Sequence, residues 1–299
     1  MSKIKKLVYS LAVMIFAVVA FSSCDKSMDE PMAPVIDNEV ENLPQTRALQ
    51  NGWQNEQNAN GIRYYSKKDG SRTWYVIKIY LPQIKISPVY RIHSESQSTT
   101  NPTFYKQHLG EWNSSNEGRN AIALVNASFF NFKWSDPWHQ DYGILGRKAE
   151  VVHPFGKNSN MISVGYGSSQ ANWKTFAVVN KKAYIGSQSY YNPEITVTGF
   201  DPDQEKRDPE DRIGRTMVGI PYNGSDVVYI FVTGDDVGYG AKQSQAINAL
   251  RSDFGCSRIV MFDGSASSQF YWQGVKKVSS MDLASYSRRV PVVLRMDRR

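Results

Sequence analysis

The stretch of residues 258–270 constrains the fold of this 299-residue chain more than any other. Residues 259–262 form a short apolar run rich in β-branched and aromatic side chains, which predicts a buried strand. The run leads directly into Asp263-Gly264 and then into four small residues. This ending places a carboxylate at a sheet edge, with backbone N–H groups open to a ligand oxygen. Taken alone, however, Asp-Gly flanked by hydrophobic residues favours a plain hairpin.

The region before this stretch follows the order strand, helix, strand. Residues 227–233 predict a strand, residues 241–254 predict an amphipathic helix, and Gly255 is suited to end that helix. A βαβ crossover implies parallel strands, so Gly234-Asp235-Asp236 and Asp263-Gly264 should lie at the same end of the sheet. Ligands of open α/β sheets bind at that end. The order of elements is therefore the strongest physical argument for a site.

Further apolar runs predict a strand-rich chain. Strands are predicted at residues 73–81, 84–93, 121–125, 161–166, 175–185, 195–200, 215–220 and 288–294. Asn223-Gly224 predicts a hairpin turn after the strand at 215–220. We therefore expect an α+β fold, with a single domain built on a mixed, strand-rich β-sheet, few helices and a βαβ unit near the C-terminus.

The N-terminus has the pattern of an export signal. Lysines up to Lys6 precede the apolar run of residues 7–21, and Ser22-Ser23 precede Cys24, as in a bacterial lipoprotein signal. A plain signal anchor fits less well, because the run is short for a membrane span. We expect a signal peptide at residues 1–23, a lipidated Cys24, a flexible tether at residues 24–50 and a folded domain at residues 51–299. The expected location is the bacterial cell envelope, with a lipid anchor in the outer membrane and the domain on its periplasmic or surface face.

Composition argues against several kinds of partner and site. Removing the three lysines of the signal peptide leaves 32 basic and 28 acidic residues, a net charge of +4, with no long basic cluster, so nucleic-acid binding is not expected. If Cys24 carries lipid, Cys256 has no disulfide partner and is expected in the core. The four histidines are scattered and form no zinc motif. Residues 201–214 are dense in carboxylates but lack EF-hand spacing, so calcium has no motif to support it and no cofactor is expected.

Three other positions are candidates for the site. The strand at 121–125 ends in Asn126-Ala127-Ser128, although an ordinary Asn-initiated turn has the same pattern. Arg215 begins a buried strand, where its charge needs either a local carboxylate or a substrate phosphate as partner. His153 follows a short apolar pair, and a lone histidine is more often structural than catalytic.

Taken in order, five segments resemble the phosphodiester glycosidase family, whose founding activity removes N-acetylglucosamine from a sugar-phosphate diester. The resemblance is carried by residues 125–130, by Arg215-Thr216 with Gly219, and by residues 240–254, 263–268 and 289–291. It covers roughly residues 70–299. The family's usual turn is Asp-Gly-Gly-Gly-Ser, and here Ser265 and Ala266 replace the second and third glycines.

The resemblance implies cleavage of a sugar-1-phosphodiester at the anomeric carbon, which releases a sugar and a phosphomonoester. In that reaction Asp263 attacks the sugar or activates water, and Arg215 holds the phosphate charge. His153 and Asp236 are weaker candidates for acid or base roles. The residues expected to bind substrate are Asn126, Ser128, Thr216, Gly264, Ser267 and Ser268.

The sequence is also compatible with a binding function without catalysis. A lipid-anchored, non-catalytic glycan-binding protein of the cell envelope would use the same pocket without turnover. Its aromatic side chains would be Trp134, Trp138 and Tyr142, which suit stacking on sugars. A purely structural envelope protein explains the tether but not the polar strand ends that converge on one sheet edge.

Overall fold

The computed structural model describes residues 50–94, 96, 98–131, 147–167, 172–235, 240–278 and 288–299. The expected signal peptide, Cys24 and almost all of the tether lie outside these ranges, as do Asp236 and the aromatic residues Trp134, Trp138 and Tyr142. The described residues all fall within the compact unit Gln45–Arg299. Among their helices, none has the length and apolar character that crossing a membrane would require.

Strands dominate the described chain, as the sequence predicts. They are β1 (Gln54–Ala59), β2 (Ile62–Asp69), β3 (Arg72–Tyr80), β4 (Ile84–Tyr90), β5 (Phe104–Tyr105), β6 (Ala123–Asn126), β7 (Phe130–Asn131), β8 (Lys148–Val151), β9 (Phe155–Lys157), β10 (Asn160–Ser163), β11 (Trp173–Val179), β12 (Lys182–Gly186), β13 (Ile195–Phe200), β14 (Arg215–Ile220), β15 (Val227–Thr233), β16 (Arg258–Met261), β17 (Phe270–Trp272), β18 (Val275–Val278) and β19 (Val292–Arg298). The helices are α1 (Leu109–Ser114) and α2 (Gln243–Asn248), which a π-helical turn continues through Ala249–Asp253. Short 3-10 turns lie at Gln50–Gly52 and Ser265–Ser267.

Two large sheets carry the fold. The eleven-stranded sheet has the order β1-β2-β3-β15-β14-β16-β13-β11-β12, and β9 and β10 extend it beside β13. The five-stranded sheet has the order β18-β17-β6-β19-β4, and a three-stranded sheet has the order β5-β8-β7. Every described strand pair is antiparallel.

The two large sheets stack face to face, with a helix on each outer side. Side chains from both sheets meet in one central core, which includes Ile77, Val125 and Val218. A second cluster packs the outer face of the eleven-stranded sheet against α2, and a third packs the five-stranded sheet against α1. Strands with both faces covered alternate between two apolar surroundings. In β3, for example, Ile77 faces the central core and Val76 faces the α2 cluster.

The predicted βαβ unit is present, with one strand inserted. Strands β15 and β16 each pair antiparallel with β14, which lies between them, so they run in the same direction without touching. Helix α2 makes the connection between them. The ends of β15 and β16 therefore lie at the same edge of the sheet, as the order of elements predicts.

One predicted strand is wrong. Residues 175–185 form two strands of a hairpin, β11 and β12, and not one continuous strand. Asn180 and Lys181 turn the chain with φ values of 51° and 62°. Positive φ at both central residues is what a two-residue hairpin turn requires, and a lysine there gives little sequence signal for it. Strand β1 is a polar, mostly exposed edge strand, and β2 lies between β1 and β3 with half of its residues buried; neither is among the predicted strands.

Candidate active site

The Asp263 turn connects the two large sheets. Strand β16 belongs to the eleven-stranded sheet, and β17, which follows the turn, belongs to the five-stranded sheet. The hairpin interpretation of Asp263-Gly264 is therefore wrong, because β16 and β17 do not pair with each other. Asp263 itself lies at the crossing point and is partly buried, directly after Phe262, the buried residue that follows β16.

The buried side chain of Asn126 fixes this turn from the end of β6. Its Nδ2 donates to the backbone carbonyl of Asp263 over 2.6 Å. Its Oδ1 accepts from the Thr216 hydroxyl over 2.8 Å and from the backbone N–H of Gln269 over 3.1 Å. One amide thus joins β6, β14 and the turn, and both of its polar atoms are satisfied although it is fully buried.

Several of the predicted substrate-binding residues lie around this amide. The hydroxyls of Thr216 and Ser268 are 3.2 Å apart, within hydrogen-bonding distance. The backbone N–H of Asp263 donates to the carbonyl of Ala127 over 3.1 Å. The structure therefore brings Asn126, Thr216, Asp263, Gly264, Ser267 and Ser268 together at one edge, although they come from three distant parts of the chain.

The carboxyl group of Asp263 is electrostatically unusual. Burial raises its pKa from the ordinary 3.8 to about 6, since the charged form loses hydration. The Ser267 hydroxyl, the charge of Arg288, the backbone at Gly264 and the charge of Arg207 act in the opposite direction. The Ser267 hydroxyl makes no hydrogen bond of regular geometry among the described residues, but it is close enough to favour the carboxylate. Asp263 is thus balanced between its protonated and ionised forms near pH 6.

Arg215 does not take part in this arrangement as expected. Its guanidinium donates to four backbone carbonyls, those of Ala241 (3.1 Å), Arg207 (2.6 Å), Asp208 (2.5 Å) and Asp211 (3.2 Å). Because successive residues of a strand point to opposite faces, the side chain next to that of Thr216 faces the α2 side of the sheet. Backbone carbonyls take up the guanidinium N–H groups, and the charges of Asp208, Asp211 and Asp235 also favour the buried cation, so its burial needs no ligand.

The cations that act on Asp263 are Arg207 and Arg288. Arg207 is exposed, and its Cζ lies 4.4 Å from the ring centroid of Phe200. Its Nε forms a 2.9 Å ion pair with Oε1 of Glu205. The sequence does not indicate a functional role for Arg207, because the charged stretch around it is typical of a solvated loop. Arg215 gives an indirect signal: a buried arginine needs hydrogen-bond acceptors nearby, which favours an ordered loop.

His153 lies in an aromatic cluster close to the site. Its ring centroid is 4.5 Å from that of Phe200, 4.8 Å from that of Trp173 and 5.3 Å from that of Phe129. Burial, assisted by the charge of Arg207, lowers its pKa from 6.5 to about 3, so the ring is neutral at ordinary pH. Neither ring nitrogen makes a hydrogen bond of regular geometry in the described chain, although the backbone of Thr198 slightly opposes the shift. These surroundings are those of a packed aromatic residue.

The remaining predicted positions are Ser128, Asp236 and Cys256. Ser128 is buried just beyond Asn126, and its hydroxyl makes no regular hydrogen bond within the described ranges. Asp236 lies outside the described residues. Cys256 is a buried free thiol of the α2 cluster, as expected. Within the described parts of the chain, no three His, Cys, Asp or Glu side chains are grouped in a way that could hold a metal ion.

Asp235 contributes a contact that the sequence did not single out. Its Oδ1 accepts from the backbone N–H of Gly214 over 2.8 Å, and its Oδ2 accepts from the Ser265 hydroxyl over 3.0 Å. Ser265 also donates its N–H to the carbonyl of Gly214 over 2.7 Å. A Cβ on Gly214 would lie 2.2 Å from the carbonyl oxygen of Ser265, so only glycine allows this close approach. Asp235 thereby fastens the Asp263 turn to the start of β14.

Three solved structures are similar to this chain, and the first of them supports the fold. The catalytic domain of zebrafish N-acetylglucosamine-1-phosphodiester α-N-acetylglucosaminidase, solved auto-inhibited by its pro-peptide, is 11% identical with a TM-score of 0.53, over 86% of this chain and 87% of that one. A hypothetical protein from Synechocystis is 12% identical with a TM-score of 0.43, over 83% of this chain, which spans 64% of that protein. A putative exported protein from Burkholderia pseudomallei is 11% identical with a TM-score of 0.42, over 75% of this chain and 73% of that one.

Sequence comparison identifies the family. Comparison with curated protein sequences gives no match. The sequence profile of the phosphodiester glycosidases matches residues 119–295, which contain Asn126, Thr216 and Asp263. Because this match covers more than half of the chain, the protein belongs to the phosphodiester glycosidase family.

Proposed function

We propose that this protein hydrolyses the glycosidic bond of a sugar-1-phosphodiester. The bond between the anomeric carbon and the phosphate oxygen breaks, and the oxygen of water bonds to the anomeric carbon. One proton of that water stays on the new sugar hydroxyl, and the other leaves with the phosphomonoester. The family and the zebrafish catalytic domain support a reaction of this type.

The main support for the proposal is the partly buried carboxyl group of Asp263, with its raised pKa. Glycoside cleavage proceeds through a positively charged, oxocarbenium-like transition state, which needs a carboxylate beside the anomeric carbon as nucleophile or as base. The partly buried carboxyl group of Asp263 has a pKa of about 6, so it is mostly ionised above that pH and only weakly hydrated. A poorly hydrated carboxylate at a sheet edge interacts strongly with a developing positive charge.

The surrounding groups keep this carboxylate in place and offer hydrogen bonds to the substrate. Asn126 fixes the backbone carbonyl of Asp263, so the turn cannot drift away from β6. The hydroxyls of Ser267 and Ser268 lie within the same turn and suit sugar or phosphate oxygens. A phosphate leaving group needs little help from a general acid, which agrees with the neutral, buried ring of His153.

The test is sugar release from a panel of sugar-1-phosphate methyl diesters, starting with that of N-acetylglucosamine. Wild-type protein is compared with Asp263→Asn and with Asp226→Asn, a control that changes a partly exposed aspartate paired with Lys182. We expect release by the wild type and the control and its loss in Asp263→Asn, by about 100-fold or more. Equal release by all three would remove Asp263 from the mechanism. Substrate binding without release by the wild type would support the non-catalytic glycan-binding alternative.

We also infer that the reaction takes place outside the cytoplasm, on a lipid-anchored protein. The support is the sequence of residues 1–24, with its basic start, apolar run and Cys24. Cys24→Ser should move the protein from the membrane fraction to the soluble fraction of the cell envelope. Retention of Cys24→Ser in the membrane fraction would contradict the lipid anchor.

A further inference from the structure

We propose that Arg207 is the residue that binds the phosphate group of the substrate. This inference rests on the proposed function, because it assigns one part of the same substrate to one side chain. Arg215, the arginine expected in that role, has its guanidinium occupied by four backbone carbonyls.

The exposure and ring contact of the Arg207 guanidinium suit it to bind an anion. It is exposed and lies against the ring of Phe200, with 4.4 Å from Cζ to the ring centroid. Contact with a ring holds a guanidinium in place while its N–H groups at the edge stay available. Its ion-pair partner, Glu205, is a neighbour on the same loop and also accepts from Asn172 over 3.1 Å. A phosphate can therefore take over the N–H groups of Arg207 while Glu205 keeps a partner.

The backbone of Arg207 is fixed far more firmly than a solvated loop requires. Its N–H donates to Oε1 of Gln243 over 3.0 Å, and its carbonyl accepts from Nη1 of Arg215 over 2.6 Å. Gln243 and Arg215 are 1% and 2% exposed, so two buried polar side chains from α2 and β14 hold this single surface residue. Gln243 also donates to the carbonyls of Pro202 and Glu205. Such preorganisation lowers the entropy lost when a ligand binds.

The position of Arg207 relative to the carboxylate also fits. The guanidinium of Arg207 packs on the ring of Phe200, the last residue of β13. Phe200 pairs with Met261, which lies two residues before Asp263. The charge of Arg207 acts on both Asp263 and His153, while Arg288 also acts on Asp263. A sugar-1-phosphodiester places its phosphorus two bonds from the anomeric carbon, with one negative charge shared by the non-bridging oxygens. With that carbon at Asp263, the phosphate can lie toward Arg207, where charge-assisted bidentate hydrogen bonds are available.

The experiment compares the full protein with Arg207→Gln, Arg207→Lys and Lys206→Gln. Lys206 is the adjacent exposed cation, so Lys206→Gln makes the same charge change one residue away. Binding of methyl phosphate, the product mimic, is followed by calorimetry, and kcat and KM are measured with a sugar-1-phosphate methyl diester. Thermal unfolding checks that each variant is folded, and an exposed side chain should leave it unchanged.

We expect Arg207→Gln to weaken methyl phosphate binding and raise KM by about 10-fold or more, as for loss of a hydrogen bond to a charged group. Arg207→Lys keeps the charge but not the bidentate geometry and should be intermediate, and Lys206→Gln should match the wild type. If the wild type binds and turns over but Arg207→Gln is unchanged, Arg207 is the wrong residue and the proposed function survives. If the wild type binds methyl phosphate through Arg207 but releases no sugar, the proposed function fails and this assignment survives. Absence of both binding and turnover in the wild type would overturn both.

Discussion

The side-chain amide of Asn126 donates a 2.6 Å hydrogen bond to the backbone carbonyl of Asp263, 137 residues further along the chain. Its oxygen accepts from the side chain of Thr216 and from the backbone of Gln269. The carboxylate of the site is therefore held through its own backbone by a residue from the other sheet. This bond needs an N–H donor, since a carbonyl can only accept.

Replacing Asn126 tests this arrangement. Asn126→Asp places an acceptor against the Asp263 carbonyl and should cost more stability than Asn126→Ala, which loses the bonds without adding repulsion. For Asn126→Ala, we expect a loss of about 2–4 kcal/mol, because buried partners are left unsatisfied. Urea unfolding measures the stability, and sugar release should fall in both variants. Thr216→Ser keeps the hydroxyl and is the matched control. An Asn126→Asp variant as stable as the wild type would contradict the assigned amide orientation.

Asp263 and His153 should have opposite effects on stability as the pH changes. The pKa of Asp263 rises on folding from 3.8 to about 6, so between these values the folded state holds a proton that the unfolded state lacks. Its contribution to stability therefore falls as the pH rises through this window. The pKa of His153 falls on folding from 6.5 to about 3, so there the unfolded state holds the extra proton and stability rises with pH.

Between about pH 4 and pH 6 the two slopes, each of about 1.4 kcal/mol per pH unit, should largely cancel. Asp263→Asn should make the free energy of unfolding rise more steeply with pH than in the wild type. His153→Phe, which keeps a ring beside Phe129, Trp173 and Phe200, should make it fall with pH relative to the wild type. Urea unfolding at several pH values measures the slopes, and other titrating groups cancel in the comparison. Parallel curves for all three proteins would show that neither pKa is shifted.

His153→Phe also decides between a packing role and a catalytic role for this histidine. A neutral ring packed among aromatic side chains should be replaceable, with sugar release kept within about 3-fold of the wild type if it acts only by packing. Loss of kcat in a variant that unfolds at the same temperature would assign chemistry to the imidazole.

The Ser265 hydroxyl, bonded to Asp235 over 3.0 Å, offsets a local backbone strain. Ser265 has φ of 50°, a left-handed conformation that costs a side-chain-bearing residue about 1 kcal/mol. Ser265→Ala keeps the strain and loses the hydrogen bond, so it should destabilise by about 1 kcal/mol. Ser265→Gly loses the bond but also relieves the strain, so it should be nearly neutral. Asp235→Asn can still accept from Gly214 and donate to the Ser265 oxygen, so it should be milder than Asp235→Ala. Equal stability of the alanine and glycine variants at 265 would contradict a strained, clamped turn.

Much of the strand content and the shared edge of the site could be predicted from sequence, because both depend on local patterns. The alternation in β3 and the apolar run of β16 each indicate a strand without knowledge of the partner. The shared end of β15 and β16 follows from the strand–helix–strand order alone. That Asn126 and Thr216 lie at this edge is likewise consistent with polar residues at the ends of apolar strands.

The remaining features depend on pairings that no local pattern contains. The insertion of β14 between β15 and β16 is a choice of strand order, and the hairpin at Asn180-Lys181 lacks a glycine signal. The hydrogen-bond partners of Arg215 could not be predicted for a similar reason. A buried arginine requires hydrogen-bond acceptors, but the sequence does not show whether these are carboxylates, a ligand or nearby backbone carbonyls. Arg207 was overlooked because its loop has the composition of a solvated one.

Arg215 should matter chiefly for folding and only indirectly for catalysis. Arg215→Lys can satisfy at most three of the four carbonyls and lacks the planar fork, so we expect a loss of about 2–4 kcal/mol. Arg212→Lys is the matched control, because the ion pair of Arg212 with Asp69 is partly exposed and should contribute less than about 1 kcal/mol. Because Arg215 holds the backbone of Arg207, its loss should also raise KM for a phosphodiester while kcat of the folded fraction changes little. Urea unfolding and steady-state kinetics below the unfolding temperature separate the two effects. A stable Arg215→Lys variant with unchanged KM but a much lower kcat would instead place this guanidinium at the reacting bond.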